Sequence, residues 1–354
     1  MMTTHRRMLP LVLAGCALAG SLAAQGPGPQ ANSSFIDAQG TAHVCRVVPV
    51  PDTLSPQAQA WLAKHIDSGQ PLTTAENRAH ADAWEAKLEQ LMQPMYPTRV
   101  TRGQIAGVPV KFIAPPSIPA DHRQRLLINV HGGGMRADWG SIAETIPLAS
   151  LTRTRVVAVL YRLTPEHAFP AAVDDTVAVY RELLKTHRPQ DLALYGTSAG
   201  AILTAEVAVR LKQLGLPEPA ALGIFSGMGD YSRFTDSSAL FSLFGLSGPL
   251  PLPADRKPDT QYVGSCDPRD PVLSPVYADL HGLPPALFVT STRDLLLSGT
   301  TILHRAYLRD GVDARLVVFE GLPHAFWNEW YLPESIEAHH LMARFFDQQL
   351  GRAR

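Results

Sequence analysis

Leu192-Ala193-Leu194-Tyr195-Gly196-Thr197-Ser198-Ala199-Gly200 is the stretch whose reading decides the fold. Its first four residues form an apolar run, and from Ala199 to Leu214 apolar residues recur at helical spacing. Between the two stands the pattern G-x-S-x-G, with a glycine two residues to either side of Ser198. Chance alone supplies roughly 0.1 such matches in a chain of this composition, so the bare pattern decides little. Its setting decides more. A strand that turns sharply into a helix needs neighbours without bulk, and it lifts the central hydroxyl above the sheet. The helix N-terminus beside it favours developing negative charge. The competing reading is a glycine-rich turn in which Ser198 merely caps the helix.

Outward from this turn the chain alternates. Apolar runs rich in β-branched residues stand at Leu126–Val130, Val156–Leu160, Ala221–Phe225, Ala286–Thr290 and Arg315–Phe319. Amphipathic helical stretches lie between most of them, at Ala171–Lys185, Gly299–Asp310 and finally Ser335–Leu350. Such alternation predicts an α/β fold, a mostly parallel central sheet with helices on both faces, over residues 96–354. Residues 99–114 read as a hairpin about Ala106-Gly107, and residues 231–264, rich in Pro, Ser and Phe, as an insertion over the sheet. Residues 55–95 carry two helical patterns, Gln57–Ile66 and Thr74–Met92. Thr73 or Thr74 is the N-cap of the second, and Trp84, Leu88 and Leu91 share its stripe.

With 31 Lys plus Arg against 32 Asp plus Glu, the chain has no basic excess, which argues against a nucleic-acid partner held by counterion release. Residues 1–24 read as an export signal, with a basic start, an apolar stretch from Met8 to Ala19, and small residues after it. Cleavage after Ala19 or Ala23 fits this reading. Leu13-Ala14-Gly15-Cys16 equally resembles a bacterial lipobox, which would tether the protein to a membrane through a lipidated Cys16. The expected location is periplasmic or secreted, or anchored at the membrane. Residues 25–54, rich in Gly, Pro, Gln and Ser, read as a tether. Cys45 and Cys266 could pair in an oxidising compartment, although spacing alone does not bring their Cβ atoms together.

His131-Gly132-Gly133-Gly134 follows the run Leu126–Val130. Three glycines let backbone N–H groups point into a concavity, so Gly133 and Gly134, with the N–H of Ala199, are candidate oxyanion donors. The alternative is a phosphate-binding glycine loop, but no Lys-Ser/Thr follows and no acidic ribose partner is evident. A serine hydroxyl is a poor nucleophile without a base. His324, in Gly321-Leu322-Pro323-His324-Ala325-Phe326, stands just after the last predicted strand, at the edge of the sheet where such sites sit. His339 and His340 fall in a helical pattern and read as surface positions. Asp294 follows the run Ala286–Thr290 and is the candidate acid that orients His324, whereas Asp310 and Asp313 belong to the opposite end of the sheet. No Cys/His cluster has ligand spacing, so neither metal nor cofactor is expected.

Together these residues resemble the hormone-sensitive-lipase-like esterases, the bacterial carboxylesterase branch of the α/β-hydrolase superfamily, over roughly residues 95–350. The likeness rests on His131–Gly134, on Gly196–Gly200 of the GTSAG kind, on Asp294, and on His324-Ala325-Phe326. A further segment, Tyr161-Arg162-Leu163-Thr164-Pro165-Glu166 through Ala172, carries it too. Two departures, Ala201 for a common glycine and Ser298 for a common second acid, leave subgroup and pocket shape open.

The resemblance implies a Ser198-His324-Asp294 triad and short-to-medium acyl esters as substrates. A carbohydrate acetyl ester, a lactone or an amide remain alternatives on the same fold, and a non-catalytic binding homologue a more distant one. It also implies a cap built from residues 35–95 and from 231–264. Trp61, Trp84, Trp139, Phe234 and Phe244 would then border an apolar pocket, with Trp327 and Trp330 beside the base. A homodimer through the last strand and helix is a further implication. By itself the apolar stripe of Ser335–Leu350 is equally a face packed on the sheet.

Overall fold

A computed structural model describes residues 34–64, 72–242, 246 and 260–351. The expected export signal, Cys16 and Phe244 lie outside the described residues. The chain divides into two compact units at Pro49–Val50.

In the first unit, β1 (Phe35–Ile36) pairs antiparallel with β2 (Ala42–His43). Asp37 makes the reversal: its Oδ1 accepts the amides of Gln39 and Thr41, and Gly40 adopts a φ of 81°. Phe35 stacks on His43 at 4.4 Å. Local turn chemistry therefore gives structure to a stretch expected to be a plain tether. Cys45 and Cys266 are both free thiols.

The second unit begins with α1 (Pro56–Leu62) and α2 (Thr74–Leu91). Thr73 and Glu76 form a reciprocal capping box at the start of α2, which explains why the helix starts there. Leu88 is buried, whereas Leu91, expected on the same stripe, faces solvent. After the hairpin β3 (Arg99–Ile105) and β4 (Val108–Ala114) come β5 (Leu126–Val130), α3 (Ile146–Thr152), β6 (Arg155–Val159) and α4 (Ala171–Leu183). Next are β7 (Leu192–Thr197), α5 (Ala199–Gln213), β8 (Ala221–Phe225), and the short α6 (Asp236–Phe241) and α7 (Thr260–Val263) of the insertion. The chain closes with β9 (Ala286–Ser291), α8 (Leu297–Arg309), β10 (Ala314–Phe319) and α9 (Pro333–Gln349). Helix α3 escaped the sequence reading because seven residues with a proline in the first turn hold too little periodicity.

Eight strands form one sheet in the order β10-β9-β8-β7-β5-β6-β4-β3, parallel except at β4 and β3. Successive strand residues feed opposite cores, as a period of two requires. Leu126, Ile128, Leu192, Leu194 and Phe288 join the cluster that includes α4, α5 and α8. Leu127, Tyr195, Phe225 and Val289 join the cluster that includes α3 and α9. The strand order reverses direction between β5 and β7. In an open α/β sheet the crevice at the carboxyl ends of such a pair is where ligands bind.

Candidate active site

Both glycine motifs leave the sheet at that reversal point, Gly132 after β5 and Ser198 after β7. Ser198 holds φ 58° and ψ −120°, a strained conformation for a residue with a Cβ, and its side chain makes no capping bond. The simple helix-cap reading therefore fails. A Cβ at Gly196 or at Gly200 would strike the carbonyl oxygen of Val130, so the turn closes against β5 only with glycine at both places. On the β5 side, a Cβ added to Gly132 would lie 3.5 Å from that of Ser198. The two loops thus meet at the serine. Gly133 and Gly134 follow at φ 117° and 63°, with Gly134 open to solvent.

His324 and Asp294 come from the ends of β10 and β9 and meet at 2.7 Å, His324 Nδ1 to Asp294 Oδ1. A carboxylate accepts only, so the imidazole proton sits on Nδ1, and Nε2 keeps its lone pair. The His324 side chain is 6% exposed and Asp294 is fully buried. Burial raises the Asp294 carboxyl. The facing His324, its hydrogen bond, the Ser226 hydroxyl and the Leu296 amide outweigh that, and hold it below the usual carboxylate value.

Two supports of this acid went unread in the sequence. Ser226, directly after β8, donates its hydroxyl to Asp294 Oδ2, and Thr290 Oγ1 donates to the same oxygen at 2.7 Å. The Leu296 amide reaches Oδ1 at 2.8 Å. Their only signal was a hydroxyl residue inside or just after an otherwise apolar run.

The glycine loop after β5 has supports of its own. Glu144, fully enclosed, accepts the Gly132 amide at 3.0 Å and the Asn129 side-chain amide at 2.9 Å; burial, partly offset by these bonds, raises its carboxyl well above normal. His131 stacks on Tyr161 at 4.3 Å, and the Tyr161 hydroxyl donates to the His131 carbonyl at 2.6 Å. The Tyr161–Ala172 segment thus acts behind the loop: Thr164 donates to the Met135 carbonyl, Glu166 pairs with Arg78 and Asp175 with Arg162.

Trp139 is half-buried and donates to Asn77 at 3.1 Å. Trp327 departs from its expected place in a pocket wall. It is 1% exposed, packs edge-on against Phe225 and Phe326, and donates to Thr197 Oγ1 at 3.1 Å, propping the serine turn from within the core. His339 also departs from expectation, being buried rather than on the surface. Among the described residues no three His, Cys, Asp or Glu side chains converge as a metal site would require.

The family described as an alpha/beta hydrolase fold matches residues 127–328. An acetyl-hydrolase of Streptomyces hygroscopicus is 33% identical over 246 residues, spanning 66% of this chain and 79% of that protein. An esterase of Acinetobacter venetianus is 29% identical over 228 residues, 60% of this chain and 72% of that one. Among solved structures, the esterase E25 aligns with a TM-score of 0.75 at 31% identity, covering 86% of this chain and 98% of the other. An esterase from the bacterial hormone-sensitive lipase family aligns with a TM-score of 0.70 at 30% identity, covering 80% and 94%. The chain belongs to the α/β-hydrolase family, on its hormone-sensitive-lipase-like branch.

Proposed function

We propose that this protein is a serine carboxylesterase in which Ser198 is the nucleophile, His324 the general base and acid, and Asp294 the residue that orients the base. The observation that carries the assignment is the 2.7 Å bond from His324 Nδ1 to Asp294 Oδ1, at the carboxyl ends of the parallel strands, where the strained, uncapped Ser198 also stands. His324 Nε2 takes the hydroxyl proton as Ser198 Oγ attacks the ester carbonyl carbon. The amides of Gly133, Gly134 and Ala199 receive the oxyanion, and each such donor lowers the barrier by about 2.7–4 kcal/mol. The alcohol leaves with the proton from His324, and water then repeats both steps on the acyl-enzyme.

The 33% identity to an acetyl-hydrolase supports short acyl groups. Hydrolysis of p-nitrophenyl esters from acetyl to decanoyl, with Ser198→Ala as control, tests this. Turnover peaking at short chains and absent from the variant is expected; equal turnover by the variant removes Ser198 from the mechanism.

Export, with or without a lipid on Cys16, follows the character of residues 1–24. Radiolabelled fatty acid incorporated by wild type and not by Cys16→Ala would support the lipid tether, and label in neither excludes it. A homodimer would form along β10, the strand at one end of the sheet, which exposes Val318, with Ile302 and Leu308 exposed on the preceding helix α8. The apolar stripe of α9 is already packed in the core. Light scattering that reports a monomer at assay concentration removes the dimer.

A further inference from the structure

Helix α2 lies outside the stretch matched by the family, yet one of its faces grips the loop that carries Gly133 and Gly134. At its start, Asn77 Oδ1 accepts the Trp139 indole N–H at 3.1 Å. Arg78 Nε donates to the Arg136 carbonyl at 2.9 Å and Nη2 to the Thr164 carbonyl at 2.8 Å. Both carboxylate oxygens of Glu166 hold the same guanidinium, at 3.0 and 2.6 Å. Two turns later Trp84 leans on Trp139 with ring centres 5.4 Å apart. Glu85 Oε2 accepts the Ile142 amide at 2.5 Å and lies 3.2 Å from the Ser141 hydroxyl, whose one proton faces Asp138 Oδ2 at 2.5 Å. A separation of seven residues returns to the same side of a helix, so 77, 78, 84 and 85 form one gripping face.

A crevice of about 410 Å³ is bordered by Glu85 of α2, by Lys111, and by His131, Asp138, Ile142 and Tyr161. Lys111 Nζ lies 2.9 Å from Asp138 Oδ2 and 3.8 Å from Glu85 Oε2, and the pair Lys111–Asp138 already balances its own charge. Burial and the nearby Asp138 push the Glu85 carboxyl up to about 8, against Lys111 and the bonds from Ile142 and Ser141. Burial thus favours the uncharged form of Glu85, and its Oε2 holds the Ile142 amide while Oε1 has no hydrogen-bond partner.

We propose that α2 sets the position of the oxyanion loop, with Glu85 and Arg78 as positioning residues for the Gly133 and Gly134 amides. The proposal rests on the carboxylesterase reading above. Displacing those donors weakens the transition state and leaves ester binding nearly intact, so kcat falls and KM does not rise. Glutamine keeps a single acceptor oxygen without charge and restores what alanine removes.

The test measures kcat and KM for p-nitrophenyl butyrate, and inhibition by a trifluoromethyl ketone whose serine adduct needs the same donors. Glu85→Ala should lower kcat by about tenfold to a hundredfold, hold KM within about twofold, and weaken the ketone by a similar factor. Glu85→Gln should recover most of both. If Glu85→Ala does not fold by circular dichroism, Arg78→Met at the more exposed end of the grip carries the same expectation. A folded Glu85→Ala or Arg78→Met enzyme with unchanged kcat, or with kcat lost and ketone affinity kept, overturns the proposal. A folded wild type that neither turns over esters nor takes a fluorophosphonate label at Ser198 overturns the carboxylesterase reading itself, and this inference with it.

Discussion

The two walls of the site hold buried carboxyl groups by opposite means. In the wall of the proposed acid and base, Asp294 receives bonds from His324, Ser226, Thr290 and the Leu296 amide, all from the ends of strands or just beyond them. Its carboxyl is held low, and it stays charged. In the wall of the proposed oxyanion loop, Glu144 receives two bonds and Glu85 the Ile142 amide, and both carboxyls are raised. Each arrangement matches its task. A group that stabilises an imidazolium must carry charge in a dry site, so it needs a donor for every lone pair that matters. A group that only holds loop donors can serve in its uncharged form, the form that burial favours.

Changing the charge on the first wall should have the largest effect. Asp294→Asn keeps the shape and loses the carboxylate, so kcat should fall by about 10⁴-fold with the fold intact by circular dichroism. A loss no greater than that of Glu85→Ala would erase the contrast between the walls. Removing only its hydroxyl donors, in Ser226→Ala with Thr290→Val, should cost about tenfold to a hundredfold in kcat at unchanged KM, because Asp294 then loses its fixed orientation. Steady-state kinetics decides this, and an unchanged kcat would show that the backbone and His324 suffice.

His339 bounds the comparison, as a buried titratable group with no partner on either ring nitrogen. Burial, helped by the adjacent His340, lowers it to about 3. The unfolded chain takes up this proton near pH 6.5 and the folded one near 3. Stability is therefore complete above about pH 6.5 and falls as pH drops toward 3, by at most about 1.4 kcal/mol per pH unit. His339→Leu should flatten denaturation midpoints across that window; an unchanged slope would assign acid lability elsewhere. The smallest effect belongs to Thr197→Val, which strands the buried Trp327 N–H and should cost about 1–3 kcal/mol in a urea melt. A change within error would mean that the indole finds another acceptor.

The elements that position the triad candidates were legible because each carries a local signal. Glycine at 196 and 200, three glycines after β5, and Asp294 and His324 just past apolar runs are patterns of a few adjacent residues. The supports were not legible. Glu85 on an amphipathic helix reads as one more solvated carboxylate, and Ser226 and Thr290 read as ordinary turn or strand residues. Their meaning arises across 68 residues for the Ser226–Asp294 bond and 57 for the Glu85–Ile142 bond. His339 misled for the same reason: helical periodicity says that a face is covered, not which polar residue is caught beneath the cover.

By itself, the sequence determined the α/β alternation, the sharp turn at Ser198, the glycine loop after β5 and the chain order of the three candidate catalytic residues. Steric and propensity rules act over a few neighbouring residues, and all of these lie within their reach. Only the tertiary structure decided which loops meet at the strand-order reversal, that Trp327 props the serine turn from inside, and that the buried Glu85 of α2 bonds the loop that follows β5. Those outcomes depend on burial, and burial is a property of the packed whole: a carboxyl or an imidazole changes its character when distant segments exclude water from it.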